Sequence, residues 1–201
     1  NELDGLGAEY NAFTGGQYTG YYAKVQKGKI EKAVELVSDL YLNPIFIPEE
    51  IEKERGVIVE EINMYEDTPM RRVRELFTAL LYSDQPAGWD IAGRKEVIRK
   101  LKRDQFQAYR EKHYVAPKTV VVVAGAFDER GVLGQIKETF GHLRRLPALK
   151  KPKTVEKQSK PGLSVKFKES DQSHLVLGVR AFDIFDKRRY ALQVLANVLG
   201  G

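Results

Sequence analysis

Residues 49–69, EEIEKERGVIVEEINMYEDTP, constrain this chain more than any other stretch. Pro48 suits the first position of a helix, and Glu49 and Glu50 suit the positive end of its dipole. From Ile51 to Tyr65 only Gly56 weakens the helical pattern. At roughly 100° per residue, Ile51, Ile58, Ile62 and Tyr65 form one apolar stripe, and Val57 and Met64 form a second. Glu54 and Glu61 project between the two, on a face expected to be buried, whereas Glu52, Glu60 and Glu66 point elsewhere. A buried carboxylate is costly unless a cation, a metal or hydrogen-bond donors compensate it. Both residues therefore need a partner.

The remaining sequence supplies a helix–strand mixture. Leu3 and Leu6 mark the end of an amphipathic helix closed by Gly7. Residues 9–14 and 17–25 are rich in Tyr, Phe and Thr around Gly15-Gly16, a hairpin signal. Residues 30–41 carry helical spacing that stops at Asn43-Pro44. Thr68 precedes Pro69 as an N-cap for a helix buried through Val73, Leu76, Phe77, Leu80 and Leu81. A loop over 83–93 holds Trp89, and two short helices follow within 95–112. Residues 119–124, TVVVVA, read as a strand buried on both faces. Asp128 caps a helix running to about Leu143. Residues 147–162 hold three prolines and five lysines and read as a linker. Beyond it, 163–168 and 174–180 read as strands, and 188–199 as a helix stopped at Gly200-Gly201.

Composition excludes several function classes. No apolar run approaches the ~18 residues of a membrane span. The 201 residues include no cysteine, which rules out disulfides and thiolate metal sites, and the net charge of +5 is a weak signal for nucleic acid. Lys150, Lys151, Lys153, Lys157 and Lys160 form a basic run with no interleaved aromatics, as in a solvated linker. His113, His142 and His174 are never four residues apart, so no helix offers paired imidazoles. No G-x-S-x-G and no phosphate-binding glycine loop occurs. The chain starts with Asn1 rather than Met and enters helix at once, as an internal piece of a longer polypeptide would.

Seven residues of helix separate Glu54 from Glu61 by ~10 Å, too far for both to bind one metal ion directly. One can be a ligand while the other orients a neighbour. Alternatively, both pair with arginines such as Arg71, Arg72 or Arg74. Helical geometry alone leaves both readings open and favours the ion pairs.

The segments LGAEYNAFTGGQYTGYYAKV, LNPIFIPEEIEKERGVIVEEINMYEDTP and KHYVAPKTVVVVAGAFD, in that order, resemble the pitrilysin/insulinase family of zinc metallopeptidases. These are the inverted zincins, which include the mitochondrial processing peptidase-like enzymes. The resemblance spans nearly the whole chain. It implies that Glu61 is the third zinc ligand and that Glu54 is the accompanying catalytic-site glutamate, which supports the site without binding metal. It also implies that Asn11, Ala12 and Phe13 contact substrate at an edge where an extended peptide can add. The family's H-x-x-E-H helix, which carries two zinc ligands and the base, does not occur in this sequence.

These readings define a set of expectations. The fold class is α+β, a mixed sheet with helices packed on one face. Residues 1–146 form most of a peptidase-like domain, 147–162 the linker, and 163–201 the start of a second, similar domain. The function implied is part of a Zn2+-dependent metalloendopeptidase acting on peptides or unfolded polypeptides, inactive on its own. Zinc belongs to the complete protein and is not expected on this piece alone. The partners expected are the substrate and a second half-domain or partner subunit, with neither nucleic acid nor membrane. The compartment expected is the cytoplasm. The rival reading is a non-catalytic homologue that acts in binding or assembly.

Overall fold

The computed structural model describes residues 2–147, 149–169 and 171–200. Asn1, Ala148 in the expected linker, Ser170 in the expected second domain and Gly201 of the expected helix stop lie outside the described residues. The chain divides into two units, one built from 2–64 and 90–153, the other from 65–89 and 154–200.

In the first unit, α1 (Glu2–Gly5) buries Leu3 and ends at Gly7, whose φ of +63° suits a residue without a Cβ. The hairpin expected around Gly15-Gly16 is present: β1 (Glu9–Thr14) pairs antiparallel with β2 (Thr19–Lys24). The Gly15 N–H donates to the Tyr18 carbonyl at 2.8 Å and closes the turn. The pairing sets Asn11 against Tyr22, Ala12 against Tyr21 and Phe13 against Gly20.

The body of this unit is helical. α2 (Ile30–Leu42) buries Ala33 and Ser38 and packs against β2 and against α7 (Glu129–Phe140), whose Val132 is also buried. Ser38 is tolerated because its hydroxyl donates to the carbonyls of Val34 and Glu35 within its own helix. Asp128 caps α7 as expected, its carboxylate accepting from the N–H groups of Arg130 and Gly131 at 3.3 and 3.1 Å. The two short helices are α5 (Lys95–Ile98) and α6 (Arg103–His113). Beyond α6, Val115 is almost fully buried, and the Ala116 N–H donates to the Arg144 carbonyl at 3.0 Å.

The glutamate-rich stretch forms α3 (Pro48–Glu66), which starts at the proline as expected. Its Ile51–Ile58–Ile62 stripe turns inward, and Ile62 is buried, worth about 1.5–3 kcal/mol for such a side chain. Arg55 lies on the same stripe. Its guanidinium pairs with Glu52 at 2.8 Å and donates to the carbonyls of Ile98 and Leu101, fixing the end of α5 on α3. A half-buried cation is acceptable there because every contact is a charge-assisted hydrogen bond.

In the second unit, α4 (Pro69–Tyr82) begins at its proline, although Thr68 makes no side-chain capping bond. Phe77 and Leu80 of α4 settle against Gly178 and Gly162. A Cβ on Gly162 would lie 3.2 Å from Leu80 Cδ1, and one on Gly178 would lie 3.1 Å from Phe77 Cε1. Arg180 joins this unit by donating to the Leu81 and Val155 carbonyls and pairing with Glu156 at 2.9 Å. α8 (Arg189–Val198) agrees with the helix read over 188–199, and Gly200 follows it at φ +104°.

The class is α+β. The sheet, among the described residues, is the single antiparallel pair β1–β2 rather than a mixed sheet. Residues 119–124, 163–168 and 174–180 enter no ladder there, contrary to expectation. Val120 is 84% exposed and Leu177 93%, so neither run is buried. The physical reason is that a β-branched or alternating run states which side chains need cover, whereas a strand exists only when a neighbour meets its N–H and C=O groups.

Candidate functional site

Glu54 and Glu61 both lie on the outward side of α3, with exposed side chains. This corrects the expectation that they are buried. Of the two apolar stripes flanking them, only the isoleucine stripe packs inward; Val57 and Met64 stand 50% and 56% exposed. Among the described residues neither glutamate forms an ion pair. Arg71 and Arg72 instead bind Glu75 at 3.0 and 3.1 Å, and Arg71 lies over the ring of Tyr65. An open α3 face presents two carboxylates one heptad apart, flanked by the exposed apolar side chains Val57 and Met64.

Asn11, Ala12 and Phe13 occupy the middle of β1, all exposed. In an antiparallel ladder, alternate residues aim their backbone groups at the partner. Counting from the Gly15–Tyr18 pair, Tyr10, Ala12 and Thr14 aim theirs away from β2. The Ala12 N–H is met by the Asn11 side-chain oxygen at 2.8 Å instead of by a strand. β1 thus has an edge without a strand partner among the described residues. Phe13 packs edge-on against Tyr18 with ring centroids 6.0 Å apart, and against Tyr22 at 6.3 Å. No hydrogen bond or ion pair joins Glu54 or Glu61 to this segment among the described residues.

The other face of the hairpin carries residues that sequence reasoning missed. Tyr41 of α2 meets the rings of Tyr21, Tyr114 and Phe140, with centroids 6.2, 5.0 and 5.9 Å away. The Tyr21 and Tyr114 hydroxyls are 3.2 Å apart, and Tyr41 shares a 2.7 Å hydrogen bond with Thr119. Burial first, then Tyr21, pushes the Tyr114 phenol well above the usual tyrosine range. These tyrosines are scattered through the sequence with no common period, so only the tertiary fold reveals them as a group.

A zinc site needs at least three converging protein donors. Among the described residues no three His, Asp or Glu side chains converge so as to hold a metal ion. His113 is instead stacked on Tyr109, with centroids 4.3 Å apart. The described residues therefore do not by themselves assemble a whole zinc site. No helix among the described residues is long and apolar enough to cross a membrane.

The fold is that of the M16-like peptidases. A protease from Helicobacter pylori superimposes with a TM-score of 0.67 at 22% identity, over 78% of this chain and 38% of its own. Residues 1–95 match the family described as Insulinase (Peptidase family M16), and residues 100–201 match the Peptidase M16 inactive domain. The chain belongs to the M16, or insulinase, peptidase family, as the resemblance in its sequence implied. It is 35% identical to an uncharacterized zinc protease of Mycobacterium leprae, over 99% of this chain and 45% of that protein. An uncharacterized zinc protease of Bacillus subtilis is 33% identical over 99% of this chain and 48% of its own length. The chain thus spans about half the length of these relatives.

Proposed function

We propose that this chain forms part of a zinc-dependent metalloendopeptidase that cleaves peptides or unfolded polypeptides. The observation that carries the reading is Glu61: a carboxylate exposed on an open helix face, without a cationic partner among the described residues. Such a group is available to a metal, at the position the family's third ligand would occupy. Glu54, one heptad earlier, would brace the site, and the outer edge of β1, in the segment Asn11, Ala12 and Phe13, would align the substrate as an added strand. A bound zinc supplies Lewis acidity toward a carbonyl and lowers the pKa of its water. The remaining donors and the base would come from a segment other than this one, and a second half-domain or partner subunit would enclose the substrate.

The test uses the complete reading frame that carries this sequence. Wild type should hold zinc and cleave an unfolded peptide, and Glu61→Gln should lose both while remaining folded by circular dichroism. A wild-type protein that binds unfolded peptides with neither zinc nor cleavage would establish the non-catalytic reading instead.

A further inference from the structure

Tyr21 is the residue paired with Ala12 across the hairpin, and it is also the residue through which the hairpin meets Tyr41 and Tyr114. Tyr114 stands immediately after α6, where its own N–H donates to the Arg110 carbonyl at 2.8 Å. Arg110 in turn donates to the carbonyls of Tyr41 and Leu42 at the end of α2. Tyr114 and Tyr41 are therefore held by the same guanidinium-bridged pair of helix ends. The hydroxyl contact at 3.2 Å carries that fixed frame to Tyr21, the ladder partner of Ala12 on β2.

We infer that Tyr114 is a positioning residue for the peptide-binding edge of β1. It acts through Tyr21 and touches no substrate. This rests on reading that edge as the place where an extended peptide adds. A two-stranded hairpin alone twists and frays, because an isolated pair is marginally stable in water. A peptide adding to β1 gains backbone hydrogen bonds only if the outward groups of Ala12 and Thr14 lie in one register along one line. A fixed Tyr21 holds the middle of that line without occupying it. The raised Tyr114 phenol keeps its proton through the neutral range, so the hydroxyl contact persists there.

The test compares Tyr114→Phe, Tyr21→Phe and the double variant in the polypeptide from the complete reading frame. Each single change keeps the ring packing on Tyr41 and removes one hydroxyl. Each should raise KM for an unfolded peptide by about threefold to tenfold, the factor one hydrogen bond is worth, with kcat and zinc content unchanged. The double variant should match either single one, because both remove the same bond. Tyr109→Phe, on the exposed side of α6, should leave KM as in wild type. Hydrogen exchange read without substrate should show faster exchange over residues 9–14 in Tyr114→Phe, with α2 unaltered. An unchanged KM, additive effects of the two changes, or unaltered exchange in β1 would overturn the assignment. A wild-type protein that cleaves no peptide overturns the proposed activity instead, and the exchange measurement then still decides whether Tyr114 orders β1.

Discussion

Phe13 lies across Gly20, its partner in the hairpin. A methyl group placed on Gly20 would come within 2.8 Å of Cε1 and Cε2 of the Phe13 ring and closer still to Cζ. The absence of a side chain at position 20 is what lets the far end of the ring lie over the backbone there, beside Tyr18 and Tyr22. Gly20→Ala should therefore push Phe13 off the sheet. The ring is half exposed and can swing outward, so the cost should be about 1 kcal/mol, at the low end for overpacking. Urea unfolding measures it, and loss of the Phe13–Tyr22 contact in NMR spectra checks the cause.

Arg55 offers a different kind of test. It holds Glu52 and two carbonyls near α5 from a position on the packed side of α3. Arg55→Met keeps the stem but strands those carbonyls, and should cost about 1.5–3 kcal/mol, the range for hydrogen bonds to a charged group. Arg55 also holds the Glu52 carboxyl below its ordinary value of 4.5. A depressed carboxyl favours the folded state above its unfolded pKa, and that contribution disappears as pH falls through the folded value. An NMR titration should place Glu52 below 4.5 in wild type and return it to the ordinary value in Arg55→Met.

At the alkaline end the sign reverses. Tyr114 has a phenol raised well above its ordinary value of 10.0, chiefly by burial and then by Tyr21. Above pH 10 the unfolded chain gives up this proton while the folded one keeps it, so stability falls as pH rises. Tyr114→Phe should flatten that slope. Denaturant midpoints measured from pH 9 upward decide the matter.

Every described residue between 149 and 162 is exposed, but the segment is not uniformly free. The Val155 N–H donates to Gln85 at 2.8 Å, and Glu156 pairs with Arg180. A lysine-specific protease should therefore cut first at Lys150, Lys151 or Lys153 and only later at Lys157 or Lys160. Initial cleavage at a lysine outside 150–160 would overturn the reading of 147–162 as an inter-domain connection.

The helices were legible because helical periodicity is a local property. Ile30–Leu42, Pro48–Glu66 and the Asp128 cap follow from spacing, proline and a single carboxylate. The hairpin was legible for a similar reason, since two glycines sit between two β-prone runs. What could not be read is which hydrophobic face finds a neighbour. Val57 and Ile58 differ by one position on α3, yet one stands in solvent and the other packs. Glu54 and Glu61 were misplaced into the core for that reason alone. Arg55 was overlooked because charge on an apolar stripe resembles a surface residue until its carbonyl partners, some forty residues away in sequence, are known. The tyrosine group has the same character: its hydroxyl contact joins residues 93 positions apart.

The unpaired apolar runs have a consequence for how copies of this chain behave toward one another. Val120 in the first unit and Phe167 and Leu177 in the second stand 84%, 92% and 93% exposed, apolar side chains that attract their own kind at short range. The net charge of +5 opposes contact between two copies, with a repulsion that reaches about 10 Å at 0.1 M salt and only about 3 Å at 1 M. Colloidal behaviour is thus set by ionic strength: adding salt should draw the molecules together, and light scattering should show self-association rising with salt before any unfolding begins.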